Sequence, residues 1–231
     1  MWIGVVVGFV VGLFGSALAV GLVSAFGWGD GSADDLPTAV AGIAGLWVGF
    51  IGVPVLWARL RRESVTNDFG LRASLSDGRF LLLGAVMQVP ILSALYWLLF
   101  ELVGQRELDP EAAKLVDTST GPWLWALGVV FVLGAPVAEE LFFRGLLQRA
   151  AVGTWGAHAK PIVAVWLPIA TSATVFALSH FQPWKIPGLV LLALLLGWLA
   201  YRHRRLGPSI AVHMGFNAVA FSLLVLDRVN K

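Results

Sequence analysis

Glu139 and Glu140 stand side by side in the apolar stretch Trp123 to Leu147, and Arg144 follows Glu140 by four residues. An ionisable group at membrane depth is expensive unless it is paired or used. Of the fourteen acidic residues, these are the only two placed well within such a stretch. Residues four apart share a helix face, so Glu140 and Arg144 can pair, while Glu139 points about 100° away. Glu140 is thereby expected to be held ionised in a supporting role, leaving Glu139 to handle a proton or a metal. Two further spacings of the same kind follow. Phe176 precedes His180 by four residues, so its ring can pack on the imidazole and fix it. His213 precedes Asn217 by four, so the amide can hydrogen-bond a ring nitrogen and set the tautomer, or donate to an oxyanion. Taken singly, each group has a structural reading as an interhelical tie. Two histidines, a spare carboxylate and an amide on three different spans meet no packing need, and together they supply water-activating chemistry.

The elements that must position these groups are set by composition. The chain is 58% hydrophobic and 13% charged, with eleven tryptophans and no cysteine among 231 residues. Its mean hydropathy of +0.82 places it among integral membrane proteins. The absence of cysteine removes disulfides, thiolate catalysis and cysteine metal sites. Basic residues are spread along loops instead of interleaved with aromatics, which argues against nucleic acid as a partner. Spanning-length apolar runs occur at Trp2 to Phe26, Pro37 to Ala58, Phe80 to Val103, Trp123 to Leu147, Pro161 to Phe181, Ile186 to Tyr201 and Pro208 to Leu226. The expected fold is therefore all-α: a polytopic transmembrane helix bundle of about seven spans forming one membrane domain over 1–231. Within it, 1–122 supplies N-terminal spans and 123–226 the spans that carry these polar groups.

The loops suggest an orientation. Arg59, Arg61, Arg62, Arg72 and Arg79 lie in the second connection, Arg149 and Lys160 in the fourth, and Arg202, Arg204 and Arg205 in the sixth. Asp30, Asp34 and Asp35 dominate the first connection, and the third, Gly104 to Pro122, is mostly acidic. Positive-inside logic puts the basic loops in the cytoplasm and the N-terminus outside. The first span lacks the basic n-region of a secretory signal and is expected to be a retained helix. Its Gly4, Gly8, Gly12 and Ser16 form a small-residue stripe for close packing within the monomer. Trp28, Trp57, Trp123, Trp125, Trp155 and Trp184 lie near span ends as interfacial anchors. His158 and His203 read as interfacial loop residues. Gln88 is the other deep polar side chain of note.

The ordered set Glu-Glu-x-x-x-Arg, Phe-x-x-x-His and His-x-x-x-Asn, each on a hydrophobic segment, resembles the CPBP family of intramembrane proteases. That family includes the CAAX prenyl endopeptidases and bacteriocin-processing or immunity proteins. The resemblance covers roughly Trp123 to Leu226, with every motif position filled by Glu139, Glu140, Arg144, Phe176, His180, His213 and Asn217. It implies hydrolysis of peptide bonds in a membrane cavity open to the cytoplasm, with a peptide or lipidated protein as substrate. Glu139 would be the general base, His180 would hold the water directly or through a metal, and His213 with Asn217 would stabilise the oxyanion. His180, His213 and Glu139 are a donor set able to take Zn2+ or another divalent metal with an open fourth position. The His-Glu-x-x-His zinc helix is absent, and a glutamate-driven mechanism without bound metal is the alternative. Two other functions fit parts of the pattern: a non-catalytic scaffold or immunity protein, and an ion or proton transporter. A transporter would need polar groups reaching toward both faces, which the first two spans lack. The compact loops and small apolar residues suggest a prokaryotic membrane.

One expectation conflicts with the others. Counted at about 1.5 Å per residue from Pro161, His180 lies about 28 Å along its helix, whereas His213 is only about 7 Å from Pro208. The two can share a site only if the fifth segment is tilted or begins at the interface.

Overall fold

The computed structural model describes residues 1–102, 110–155 and 160–230. Among these residues the chain is helical and contains no strand. Eight helices organise it: α1 Trp2–Ala25, α2 Leu36–Leu60, α3 Arg79–Leu102, α4 Pro110–Thr118, α5 Pro122–Trp155, α6 Pro161–Leu178, α7 Ile186–His203 and α8 Gly207–Val229. Six of them, α1, α2, α5, α6, α7 and α8, are long and apolar enough to cross a membrane. The expected third span corresponds to the 24-residue helix α3, which is not among those six, so the expected count of about seven spans is close to what is found. The fourth is longer than expected, because α5 runs 34 residues to Trp155. The fifth is shorter: α6 ends at Leu178, which leaves His180 in the turn beyond it and not on a helix. His158 lies outside the described residues.

Local signals explain the starts. α2 is capped by Asp35, whose carboxylate accepts from the Thr38 backbone N–H and hydroxyl. Prolines stand in the first turn of α5, α6, α7 and α8, where a missing N–H costs nothing. Two helices change pitch internally. α2 is π-helical over Val48–Gly52, and α5 is π-helical over Val130–Gly134 and again over Glu140–Leu147.

Helices approach closely where glycine permits. A Cβ on Gly45 would lie 2.3 Å from the Gly15 carbonyl oxygen, and one on Gly49 would lie 2.2 Å from that of Gly8. The stripe on α1 is thus used within the monomer, with Gly4 against Trp57, Gly8 against Phe142 and Gly12 against Leu46. α3 and α8 meet in the same way, at Gly84 against Val212 and Gly215 against Leu81. The main core gathers Phe50, Phe69, Phe142, Phe143 and Phe176, all buried, with Phe50 stacked on Phe142 at 4.3 Å.

The connections sort by charge. Asp77 pairs with Arg205, and the Gly70 carbonyl accepts from Leu206 N–H, which joins the second and sixth connections. The Arg149 guanidinium abuts Gly70, bringing the end of α5 to the same place. The first connection and α4 meet elsewhere, through the Lys114–Asp34 ion pair. The three Arg-bearing segments therefore gather together, as a shared membrane side requires.

The α1–α2 contact predicts that Gly45→Ala, whose methyl would meet backbone atoms that no rotamer change can move, costs about 1–3 kcal/mol. Gly21→Ala on α1 meets nothing within 4 Å and should be neutral or slightly stabilising. Thermal unfolding of both variants in detergent checks this; equal melting temperatures would contradict the close packing.

Candidate active site

α5 contributes the carboxylates. Its first π segment ends at Gly134, two residues before Pro136, and the cause of the irregularity is local. In the i→i+5 pattern Ala135 N–H donates to the Val130 carbonyl. The next donor in that register would be Pro136, to the Phe131 carbonyl, and proline has no N–H. The stranded Phe131 oxygen is taken by Asn217 Nδ2 at 2.9 Å. Asn217 was expected to bond His213 or an oxyanion. One of its two amide protons is instead spent on α5, because the proline leaves a carbonyl there that must be satisfied.

The second π segment carries Glu140 and Arg144. Arg144 Nη1 donates to Glu140 Oε1 at 2.8 Å, and both side chains have no solvent exposure. Arg144 Nη2 donates to the Ala193 carbonyl on α7 at 3.2 Å, and its guanidinium lies 4.6 Å from the centroid of the Phe176 ring. One turn on, Gln148 Nε2 donates to the Gly197 carbonyl at 2.9 Å. Arg144 and Gln148, four apart on α5, thus reach carbonyls four apart on α7. Ser172 of α6 donates to the Phe143 carbonyl at 2.9 Å. The pair expected between Glu140 and Arg144 is present, and it is tied to both neighbouring helices.

α8 brings His213 against this pair. Its Nδ1 is 3.2 Å from Glu140 Oε1, and its Nε2 is 3.7 Å from Glu139 Oε2. Glu140, already accepting from Arg144, can only accept again, so the hydrogen-bond network assigns the proton to Nδ1 and leaves Nε2 toward Glu139. The partner that sets the tautomer is Glu140 and not Asn217. Glu139 differs from its neighbour as expected. Its side chain is 20% exposed, against none for Glu140, and among the described residues its carboxylate has no hydrogen bond.

His180 is fixed by the turn after α6, where its Nδ1 donates to the Phe176 carbonyl at 2.8 Å and leaves Nε2 open. Phe176, with no exposure, lies 4.7 Å from the His180 ring and 5.8 Å from the His213 ring, centroid to centroid. Phe176 was expected to orient His180. It also touches His213 and Arg144, so one ring gathers the contributions of α5, α6 and α8. That resolves the conflict in helix depth, since His180 and His213 meet the same aromatic ring. The expected metal set is another matter. Among the described residues no three His, Cys, Asp or Glu side chains form a cluster able to hold a metal ion. Glu139 and His213 are adjacent, but His180 is not brought into a common coordination sphere with them. The donors in this arrangement do not fit a preformed three-ligand centre.

Several residues of the site were not singled out from sequence. Gln148 had a signal, the continued four-residue spacing after Glu140 and Arg144. The Phe131 carbonyl had a weaker one, lying five residues before Pro136. Ser172 and the carbonyls of Ala193 and Gly197 had none, because their role follows from where α6 and α7 pack.

Residues 121–219 match the family model of the type II CAAX prenyl endopeptidase Rce1-like proteins. This is the family that the motifs resemble, and it supports a CAAX-type intramembrane endopeptidase in a membrane helical protein. No curated protein and no solved structure matches the chain.

The geometry predicts that Arg144→Met, which strands Glu140 in the core, destabilises the protein by about 3–5 kcal/mol. Adding Glu140→Gln should recover part of that loss, since no uncompensated charge then remains. Thermal unfolding of the single and double variants in detergent measures the difference; a double variant less stable than Arg144→Met would contradict the pairing.

Proposed function

We propose that this chain, whose residues 121–219 carry the Rce1-like CAAX endopeptidase signature, hydrolyses a peptide bond of a membrane-associated substrate with water activated by Glu139. The observation that carries this reading is the 3.7 Å approach of Glu139 Oε2 to His213 Nε2. A water about 2.8 Å from each fits that base, giving one proton to the carboxylate and one to the imidazole nitrogen. Its lone pairs then face away from both groups, toward a bound carbonyl. Glu139 takes the proton as the water oxygen bonds to the scissile carbonyl carbon, and returns it to the leaving nitrogen as the C–N bond breaks.

The other groups divide the remaining work. Glu140 holds His213 by Nδ1, and Arg144 keeps Glu140 ionised so that it accepts and does not donate. Asn217, with one amide proton on Phe131, has a second to offer the oxyanion. His180, whose Nδ1 is committed to the Phe176 carbonyl, presents Nε2 as an acceptor to a substrate N–H. No step runs through a metal, because the donors do not form a three-ligand cluster. The family description makes a C-terminal CAAX-like peptide, with or without a prenyl group, the substrate class to offer first. Access is from the side where the Arg-bearing connections gather, taken as cytoplasmic.

Glu139→Gln keeps the shape and removes the base, and should lower kcat/KM by about 10²–10⁴-fold with the melting temperature little changed. The assay is detergent-purified protein on fluorogenic CAAX-like peptides, with and without a farnesylated cysteine, each with and without a chelator. Turnover unchanged in the variant would sink the assignment of the base, and loss of wild-type activity to the chelator would overturn the metal-free route.

A further inference from the structure

The loop between α2 and α3 lies outside the segment matched by the family, yet it touches both helices that carry the site. Phe69 is fully buried and packs on Gly145, the residue after Arg144. Immediately beyond it the loop turns to α8. The Gly70 carbonyl accepts from Leu206 N–H at 2.8 Å, and the Arg72 carbonyl accepts from Gly207 N–H at 3.0 Å. These bonds matter because the start of α8 has no side-chain cap, and the first N–H groups of a helix otherwise go unpaired.

Asp77 is the hub of this strut. Both of its carboxylate oxygens accept from Arg205, at 2.5 and 2.6 Å, and Oδ2 also accepts from Ser74 N–H at 2.8 Å. Asp77 is only 4% exposed, and the Arg205 fork holds its carboxyl below the usual carboxylate range. Gly207 is pressed so close that a Cβ there would lie 2.2 Å from Asp77 Oδ2. His213 lies seven residues beyond Leu206, about 10 Å up the same helix.

We propose that Asp77 is a positioning residue for the hydrolytic centre: by gripping Arg205 it locks the 64–78 loop to the start of α8 and so sets the placement of His213 against Glu139 and Glu140. The inference rests on the peptidase reading. Displacing a catalytic imidazole by an ångström slows chemistry far more than it weakens binding. A purely structural pair would lower stability without singling out His213.

The test uses Asp77→Asn, which keeps an acceptor for Ser74 and loses the charge, and Arg205→Lys, which keeps the charge and loses the fork. Thr154→Val, which removes the Trp2 indole bond to the Thr154 hydroxyl, serves as the comparison for lost stability. Each variant is assayed for kcat and KM and examined by ¹⁵N imidazole NMR, where His213 is one of only four histidines. Asp77→Asn should lower kcat roughly ten- to hundredfold, with KM nearly unchanged, and should move the His213 signal away from its Nδ1–H pattern. Arg205→Lys should fall between it and the wild type, and it carries the test if Asp77→Asn does not fold. A folded Asp77→Asn protein with the wild-type His213 signal and wild-type kcat would overturn the proposal. So would a kcat loss no greater than that of Thr154→Val. If the wild type cleaves no peptide offered, the peptidase reading fails by itself, and the His213 signal still decides the role of Asp77.

Discussion

Arg144 and Glu140 are both withdrawn from solvent in a chain whose surroundings are apolar, and that pair constrains everything around it. Two charges in such a place are tolerable only when paired and hydrogen-bonded; here Glu140 Oε1 and both Arg144 Nη atoms are engaged, while Glu140 Oε2 and Arg144 Nε meet no partner among the described residues. The demand recruits neighbours: the Ala193 carbonyl for one guanidinium nitrogen, the Phe176 face for the cation, and His213 Nδ1 for the carboxylate. These partners belong to α7, α6 and α8 in turn. The helices that carry the chemistry are therefore registered by the same contacts that make the buried charge affordable. The paired carboxylates end with opposite duties, Glu140 fixed and Glu139 open.

A second constraint comes from the backbone of α5. Pro136 cannot complete the π-helical pattern that precedes it, and the carbonyl it leaves is met from α8 by Asn217. The irregularity thus becomes an interhelical tie beside the site. The π turn over Glu140–Leu147 continues the departure from regular helix where the functional residues lie, a common place for such turns. Glycine contacts bring α1 against α2 beside the aromatic core, and α3 against α8 beside a second cluster built on Ile91, Leu192, Leu196, Leu199 and Val212.

Much of this was legible in the residues. The all-α membrane fold follows from composition, and the Glu140–Arg144 and Phe176–His180 contacts follow from four-residue spacing within one segment. Spacing on one helix says nothing about what the next helix offers. Asn217 and His213 do share a face of α8, but each finds a stronger claim on α5, from a proline-stranded carbonyl and from a buried carboxylate. His180 was placed on a helix because the apolar run continues through Phe181, whereas α6 ends at Leu178 and the chain turns, with Phe181 in the left-handed region at φ 54°. The Asp77 strut was invisible for a different reason, since Asp77 and Arg205 are 128 residues apart.

The central claim is that Glu139 removes a proton from water and does not itself attack the substrate. Single-turnover cleavage in H2¹⁸O, followed by mass spectrometry of both the product and the proteolytic fragment containing Glu139, tests it most directly. The account predicts one ¹⁸O in the new product carboxylate and none in Glu139. Label appearing in Glu139, with unlabelled product, would show a covalent acyl intermediate on that carboxylate and contradict the account.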